Sequence, residues 1–169
     1  MALKRTSEVI TIGASVTESG ANTFTEQRID LQLNPLDNEV LLIYAVDLQP
    51  DVPDGAAGTN SSVTAALTST TQTGLSNISQ SSTIAQASLA IRAAGFVDGG
   101  VGFESRSMSD TPEASMPYIA IVATNDMFLQ ILGAGNAGAK TCDAKVYCAR
   151  AKADSATYAA LVQSELLSN

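Results

Sequence analysis

The chain has no histidine and no tryptophan, and only two cysteines among its 169 residues. Without histidine it lacks the commonest general base near neutral pH and the commonest metal ligand. With no Cys-x-x-Cys spacing either, a zinc site has no ligand set. Cys142 and Cys148 lie six positions apart. In extended chain they share a face but stand about 20 Å apart, well beyond the ~7 Å that a disulfide spans. Lys140, Lys145 and Arg150 are neighbours of the kind that lower a thiol pKa. No histidine is there to act as a base beside the thiol, so the expectation is two buried cysteines serving as small hydrophobes.

Cations are scarce as well. Nine Lys and Arg stand against 17 Asp and Glu, a net charge of −8. A duplex-binding face needs clustered cations, which disfavours nucleic acid as the partner of the whole surface. From Ile29 to Ile91 there is no Lys or Arg, while Asp30, Asp37, Glu39, Asp47, Asp51 and Asp54 fall in that span. Lys140, Lys145, Arg150 and Lys152 crowd near the C-terminus, and Lys4 and Arg5 stand at the start. An acidic half and a basic edge on one small domain can attract each other between copies; a solvated surface of uneven charge is the competing reading. Long apolar runs are missing too. None approaches the ~18 residues of a membrane span. "VITIGASV" is short and interrupted, a poor secretory core. With Met1 at its head, the chain reads as a product of the cytosol.

What is present is small and β-branched. Apolar residues make up 45% of the chain, enough for a core, while aromatics make up only 5%. Ala, Ser, Thr, Gly and Val suit flat, half-buried pleated surfaces. A chain of this length buries about two thirds of its unfolded surface as one domain.

The patterning agrees. "TFTEQRIDLQL" (23–33) alternates Ile29, Leu31 and Leu33 with Arg28, Asp30 and Gln32, a strand with one wet face. "NPLDN" (34–38) is a turn. "EVLLIYAVDLQ" (39–49) is nearly continuous in apolar residues, as in a strand covered on both faces, and 50–62 is loop. A strand is expected near 62–70, and a short helix or further strand near 80–93. "GFVDGGVGFESRSM" (95–108) reads as an irregular strand, and "SDTPEASMP" (109–117) as a loop. "YIAIVAT" (118–124) and "MFLQIL" (127–132) are strands, joined at Asn125–Asp126 by a two-residue hairpin or a kink. In "KTCDAKVYCAR" (140–150), Cys142, Ala144, Val146 and Cys148 share one side. The closing helix spans 153–167, capped by Asp154 or Ser155, with Tyr158, Leu161, Val162 and Leu166 as its apolar stripe.

One stretch suggests an enzyme. Gly133–Gly135–Gly138 fits GxGxxG. A dinucleotide site needs strand, glycine turn and then helix, with the pyrophosphate on the helix N-terminus. Here the following residues have period two, so "GAGNAGA" reads as a hairpin loop whose Gly and Asn supply positive φ. No GxSxG elbow appears. Any two of the acids leave a glycosidase pair open, yet the aromatics that usually stack on sugars are few. The expectation is a non-enzyme without a cofactor. Asp47, Asp51 and Asp54 follow a buried strand with no nearby cation in sequence. Such carboxylates are calcium's preferred donors, so the three form a candidate interfacial Ca²⁺ site. Their spacing is not that of an EF-hand, and a solvated acidic loop is the rival reading.

The order of elements resembles the single jelly-roll coat subunits of icosahedral viruses, on the segments "TFTEQRIDLQL", "EVLLIYAVDLQP" and "PYIAIVATNDMFLQILGAGNAGAKTCDAKVYCARA". The resemblance implies a mainly β, antiparallel two-sheet sandwich over 1–169, with residues 1–20 as N-terminal arm or edge strand and a C-terminal helix. It implies a self-assembling capsid shell protein of the virion, made in the host cytoplasm. Its partners would be copies of itself and other virion proteins. Lys4, Arg5, Tyr158, Leu161, Val162 and Leu166 would carry the assembly contacts. The −8 charge departs from coat proteins with long arginine-rich arms, which leaves little genome contact beyond residues 1–8, or a membrane or inner protein layer to face instead. Two other classes fit the composition. One is a β-sandwich binding module reading carbohydrate or protein through 50–62 and 95–117. The other is a filament or pilus subunit that adds residues 1–20 to its neighbour's sheet.

Overall fold

The computed structural model describes residues 3–93, 103–108 and 117–168. Ten strands and one helix follow in order: β1 (Leu3–Arg5), β2 (Ile10–Thr17), β3 (Thr25–Asp30), β4 (Glu39–Pro50), β5 (Ser61–Thr68), β6 (Thr83–Arg92), β7 (Phe103–Met108), β8 (Ala120–Val122), β9 (Asp126–Ala134), β10 (Thr141–Ala153) and α1 (Ser155–Leu166). They form two packed antiparallel sheets. One runs β1-β10-β4-β8, with β2 also on β10; the other runs β3-β9-β5-β6-β7.

The pairing has a simple logic. β2 pairs with β10, β3 with β9, β4 with β8 and β5 with β6. That is one long hairpin of four strand pairs, nested from the termini inward. Alternate pairs go to alternate sheets, and the sheets close through β10·β4 and β9·β5. This is jelly-roll strand order, with β7 added at the β6 edge. Residues 3–17 supply the edge: β1 and β2 lie end to end along β10, pairing Leu3 with Ala153 and Thr17 with Thr141. Between them the Arg150 amide donates to Ser7 Oγ at 2.8 Å.

The alternation in the sequence maps directly onto the core. Ile29, Leu31 and Leu33 are buried while Arg28, Asp30 and Gln32 are exposed, and Cys142, Ala144, Val146 and Cys148 all point inward. β3 nevertheless ends at Asp30, because Gln32 turns to φ 50°. Arg150 holds that bend, donating to the carbonyls of Leu31 and Gln32 at 3.0 and 3.2 Å. Leu129 and Ile131 on β9 are fully enclosed between the sheets. Such side chains stabilise by roughly 1.5–3 kcal/mol each.

β4 is covered on both faces only at its start. Leu41 and Ile43 enter the main core, while Val40 and Leu42 face a second core on the outside of the sheet. A register shift opposite Tyr147/Cys148 then leaves two β4 residues facing one on β10. Past this bulge Val46 and Leu48 return to the main core, and Asp47 and Gln49 face water.

Two expectations sharpen and two change. Of the short helix or further strand expected near 80–93 the chain forms the strand, β6, since Thr, Ser and β-branched residues favour pleat over helix at this site. Asn125 is not a hairpin turn, because β8 and β9 belong to different sheets. It is a corner, whose carbonyl and side chain accept the Leu31 and Leu33 amides at 2.9 and 2.6 Å. "GAGNAGA" likewise is a crossover from β9 in one sheet to β10 in the other, with Gly135 alone in it at positive φ, 68°. "NPLDN" tightens into a 3₁₀ turn, Pro35–Asp37, capped by the Asn34 side chain. The irregular strand expected at 95–108 is described only as β7, and the loop at 109–116 lies outside the described residues.

Candidate functional site

α1 lies outside the sandwich, across the second core. Asp154 caps it, Oδ1 accepting the Thr157 amide at 2.8 Å. That backbone hydrogen bond holds the Asp154 carboxyl below the usual carboxylate range. Tyr158, Leu161 and Val162 pack on Val40, Leu42, Ala123, Ala151 and Ala153. Those alanines let the helix lie close to the sheet.

The stripe ends differently from the pattern read in the sequence. Leu166 is 65% exposed and Leu167 76%, while Glu165 is buried. At about 100° per residue, position 165 falls within ~20° of Tyr158 and position 166 about 80° away. The inward place therefore belongs to a carboxylate. Glu165 accepts the amides of Ala123 and Thr124 at 2.7 and 2.9 Å. These follow the last residue of the short edge strand β8 and have no strand partner, so Glu165 satisfies them.

The outward side of α1 is unusual for a protein of charge −8. Ser155, Ala156, Ala159, Ala160, Gln163 and Leu166 are exposed, and the helix's only formally charged side chain, Glu165, faces in. Beside it is a hollow of about 220 Å³ walled by Leu33, Pro35, Ala123, Thr124, Tyr158 and Val162. The Thr124 hydroxyl there is buried without a hydrogen-bond partner. Lys4 and Arg5 lie on β1, whose Leu3 joins the second core under the helix. Arg5 pairs with the exposed Glu8 at 2.8 Å, a contact worth little in water.

The second candidate site comes apart. Asp47 lies on β4 opposite Lys145. Asp51 Oδ2 accepts the Thr141 amide at 2.9 Å. Asp54 Oδ1 meets Lys140 Nζ at 2.7 Å, and its Oδ2 accepts the Ala137 amide at 2.9 Å. No cation is near these carboxylates in sequence, but Lys140, 86 residues after Asp54, reaches it through the sheet crossover. No group of three His, Cys, Asp or Glu is placed to hold a metal among the described residues.

These carboxylates instead fasten the glycine crossover. Asn136 accepts the Asp54 amide at 3.0 Å and donates to the Ser62 carbonyl at 2.9 Å. Asn22 and Asn136 exchange two further bonds of 2.8 and 2.9 Å. The buried Glu18 accepts the Gly133 and Lys140 amides at 2.6 and 2.9 Å. Little in the sequence singles out Glu18, Asn22 or Asn136, because their partners stand 74 to 122 residues away. Only a polar residue at an otherwise inward position, as with Glu18 after Val16, hints at such a role.

Lys140, followed by the Ala137 amide, lowers the Asp54 pKa. A depressed carboxylate stabilises the fold above its unfolded pKa, about 3.9, and loses that contribution as pH falls through the lower folded value. Acid unfolding followed by circular dichroism between pH 5 and 2 is expected to be shallower in Asp54→Asn than in the parent. Identical acid limbs would show that the pair does not contribute.

The thiols are inert. Burial pushes Cys142 up to about 12 and raises Cys148 as well, so both stay protonated at neutral pH. They remain unpaired. Among the described residues, no helix is long and apolar enough to cross a membrane. Comparison of the chain with family models, curated proteins and solved structures finds no match.

Proposed function

We propose that the chain is a self-assembling structural subunit of a virion shell. The jelly-roll strand order carries this reading. Shell subunits, lectins and cupins are the main users of that order. The absence of histidine removes the usual ligands of a metal-centred cupin, and the loop carboxylates that would serve a calcium-dependent lectin are committed to Thr141, Ala137 and Lys140. A shell subunit needs neither. It needs a rigid body and surfaces that fit copies of itself, and the fastened crossover and the uncharged outer helix suit both needs.

On this reading the partners are copies of the chain and other virion proteins, genome contact is slight, and the site of synthesis is the host cytoplasm. Lys4 and Arg5 on the outer strand and Leu166 on the exposed side of α1 frame the assembly contacts, while Tyr158, Leu161 and Val162 seat the helix that carries Leu166 on its own sheet. The full chain, purified and concentrated, is expected to form closed particles visible by negative-stain microscopy and light scattering. A monomer that persists to millimolar concentration overturns the reading.

A further inference from the structure

β2 forms an edge of its sheet and pairs only with β10. The Glu18 amide, just beyond it, donates to the Lys140 carbonyl at 2.9 Å, while Thr141 turns its own amide and carbonyl the other way, to Asp51. Antiparallel pairs alternate between exchanging bonds and not, so Ile10, Ile12, Ala14 and Val16 bond to β10. Thr11, Gly13, Ser15 and Thr17 direct their four amides and four carbonyls outward, and all four residues are exposed. None of those eight groups has a partner among the described residues. A row of this kind is a template for one more strand.

Sheet edges are ordinarily blunted by charge, proline, bulges or short length, and the other edges here follow that rule. β1 carries Lys4 and Arg5, β3 carries Glu26, Arg28 and Asp30, and β7 has Glu104 and Arg106 in its sequence. β8 is three residues long, and the amides beyond it are held by Glu165. β2 has eight residues, no charge, no proline and no register shift against β10. At its middle is Gly13, with nothing within 4 Å of where a Cβ would stand. A glycine inside a strand weakens it and often marks a place where another backbone approaches; none among the described residues does so. Ile10 stays 39% exposed and Ile12 half-buried although both point to the core side, because no strand lies beyond them.

We propose that β2 of a second copy adds to this edge, antiparallel about a two-fold axis at Ala14, so that one continuous sheet runs through both copies. Only an extended strand presents donors and acceptors at the spacing of the outward row. That axis sets Thr11 opposite the second copy's Thr17 and Gly13 opposite its Ser15, so all eight outward groups are bonded. Eight main-chain bonds fall within the ~10 ± 5 direct hydrogen bonds of a typical interface. On the core side the same axis sets Ile12 opposite Val16 and Ala14 opposite Ala14, apolar against apolar, while Thr meets Thr on the solvent side. Both are favourable cross-strand pairs. The surface thus meets itself, as in an isologous contact, and two molecules of charge −8 bring no charged strand residue to it. The inference rests on the self-assembly reading and names one of its contacts.

The test mixes two variants of the full chain, Thr11→Cys and Thr17→Cys, both at exposed positions, while Cys142 and Cys148 are buried and stay silent. Across the proposed axis residues 11 and 17 have Cα atoms about 5.5 Å apart, within the reach of a disulfide. Two copies of either variant alone hold their cysteines ~20 Å apart. Under mild oxidation the equimolar mixture is expected to form disulfide dimers at least ~10-fold faster than either variant by itself. Ser15→Pro removes an amide that β10 does not use, so the chain is expected to keep its melting temperature while association weakens at least ~10-fold. A mixture that links no faster than its components overturns the proposal. So does a Ser15→Pro chain that associates like the parent. Particles that assemble without an 11–17 link sink this contact and leave the shell reading standing. A chain that links 11 to 17 but never exceeds a dimer does the opposite.

Discussion

Gly135→Ala is expected to lower the unfolding free energy by about 3–5 kcal/mol, whereas Gly138→Ala, three residues on, is expected to raise it by up to ~1 kcal/mol. Gly135 sits at φ 68°, where an L side chain costs roughly 1–2 kcal/mol. Its added Cβ would also collide with the backbone carbonyl of Asn60 and meet Ser61 Cα at 3.3 Å. Neither contact can swing away, because Asn60 leads directly into β5 and the buried Ser61 donates to the Asp54 carbonyl. Gly138 has no left-handed φ and nothing within 4 Å of a Cβ. There alanine only narrows the unfolded ensemble. Gly133→Ala falls between them, since its Cβ meets the Asn136 side chain at 2.7 Å and the Glu18 carboxylate at 3.1 and 3.2 Å. Urea titrations with constant slope give the ranking. Equal midpoints for the 135 and 138 variants would contradict this account of the crossover.

Glu165→Ala is expected to cost about 3 kcal/mol. It removes the acceptor of two amides, one of them on Ala123, which is only 3% exposed. An unsatisfied buried donor costs roughly 1–3 kcal/mol. Some of that is recovered if α1 lifts and admits water, so the variant should also become sensitive to proteolysis between Ala153 and the helix. Leu166→Ala, one position on, is expected to change stability by less than ~0.5 kcal/mol because the side chain faces solvent. A hydrophobic stripe through Leu166 would reverse the two results. Thermal melts and limited proteolysis of both variants decide between them.

That contrast shows how far the pattern in the sequence reaches. Tyr158, Leu161 and Val162 were legible as the inward side of a helix because helical period sorts residues by face. The period does not say where the stripe ends. Whether position 165 or 166 turns inward depends on the angle at which α1 crosses the sheet, and on the two unpaired amides beyond β8 waiting there. The acidic loop teaches the same lesson. Asp54 looked unneutralised because proximity along the chain was the only proximity available, and Lys140 comes to it through a sheet crossover 86 residues later.

By itself the sequence determined the class of the protein and the faces of its strands. Alternation in 23–33 and 140–150 assigns inside and outside because side chains on a strand change face at every residue. Small and β-branched composition commits the chain to sheet. Tertiary structure decided everything that depends on which strand meets which: the nested pairing of β2 with β10 through β5 with β6, the crossovers mistaken for hairpins, and the polar clasp of Glu18, Asn22, Asp54 and Asn136. Local periodicity reports only a residue's orientation to its own neighbours, while strand partners are chosen by the joint burial of two sheets and the closure of every backbone hydrogen bond between them.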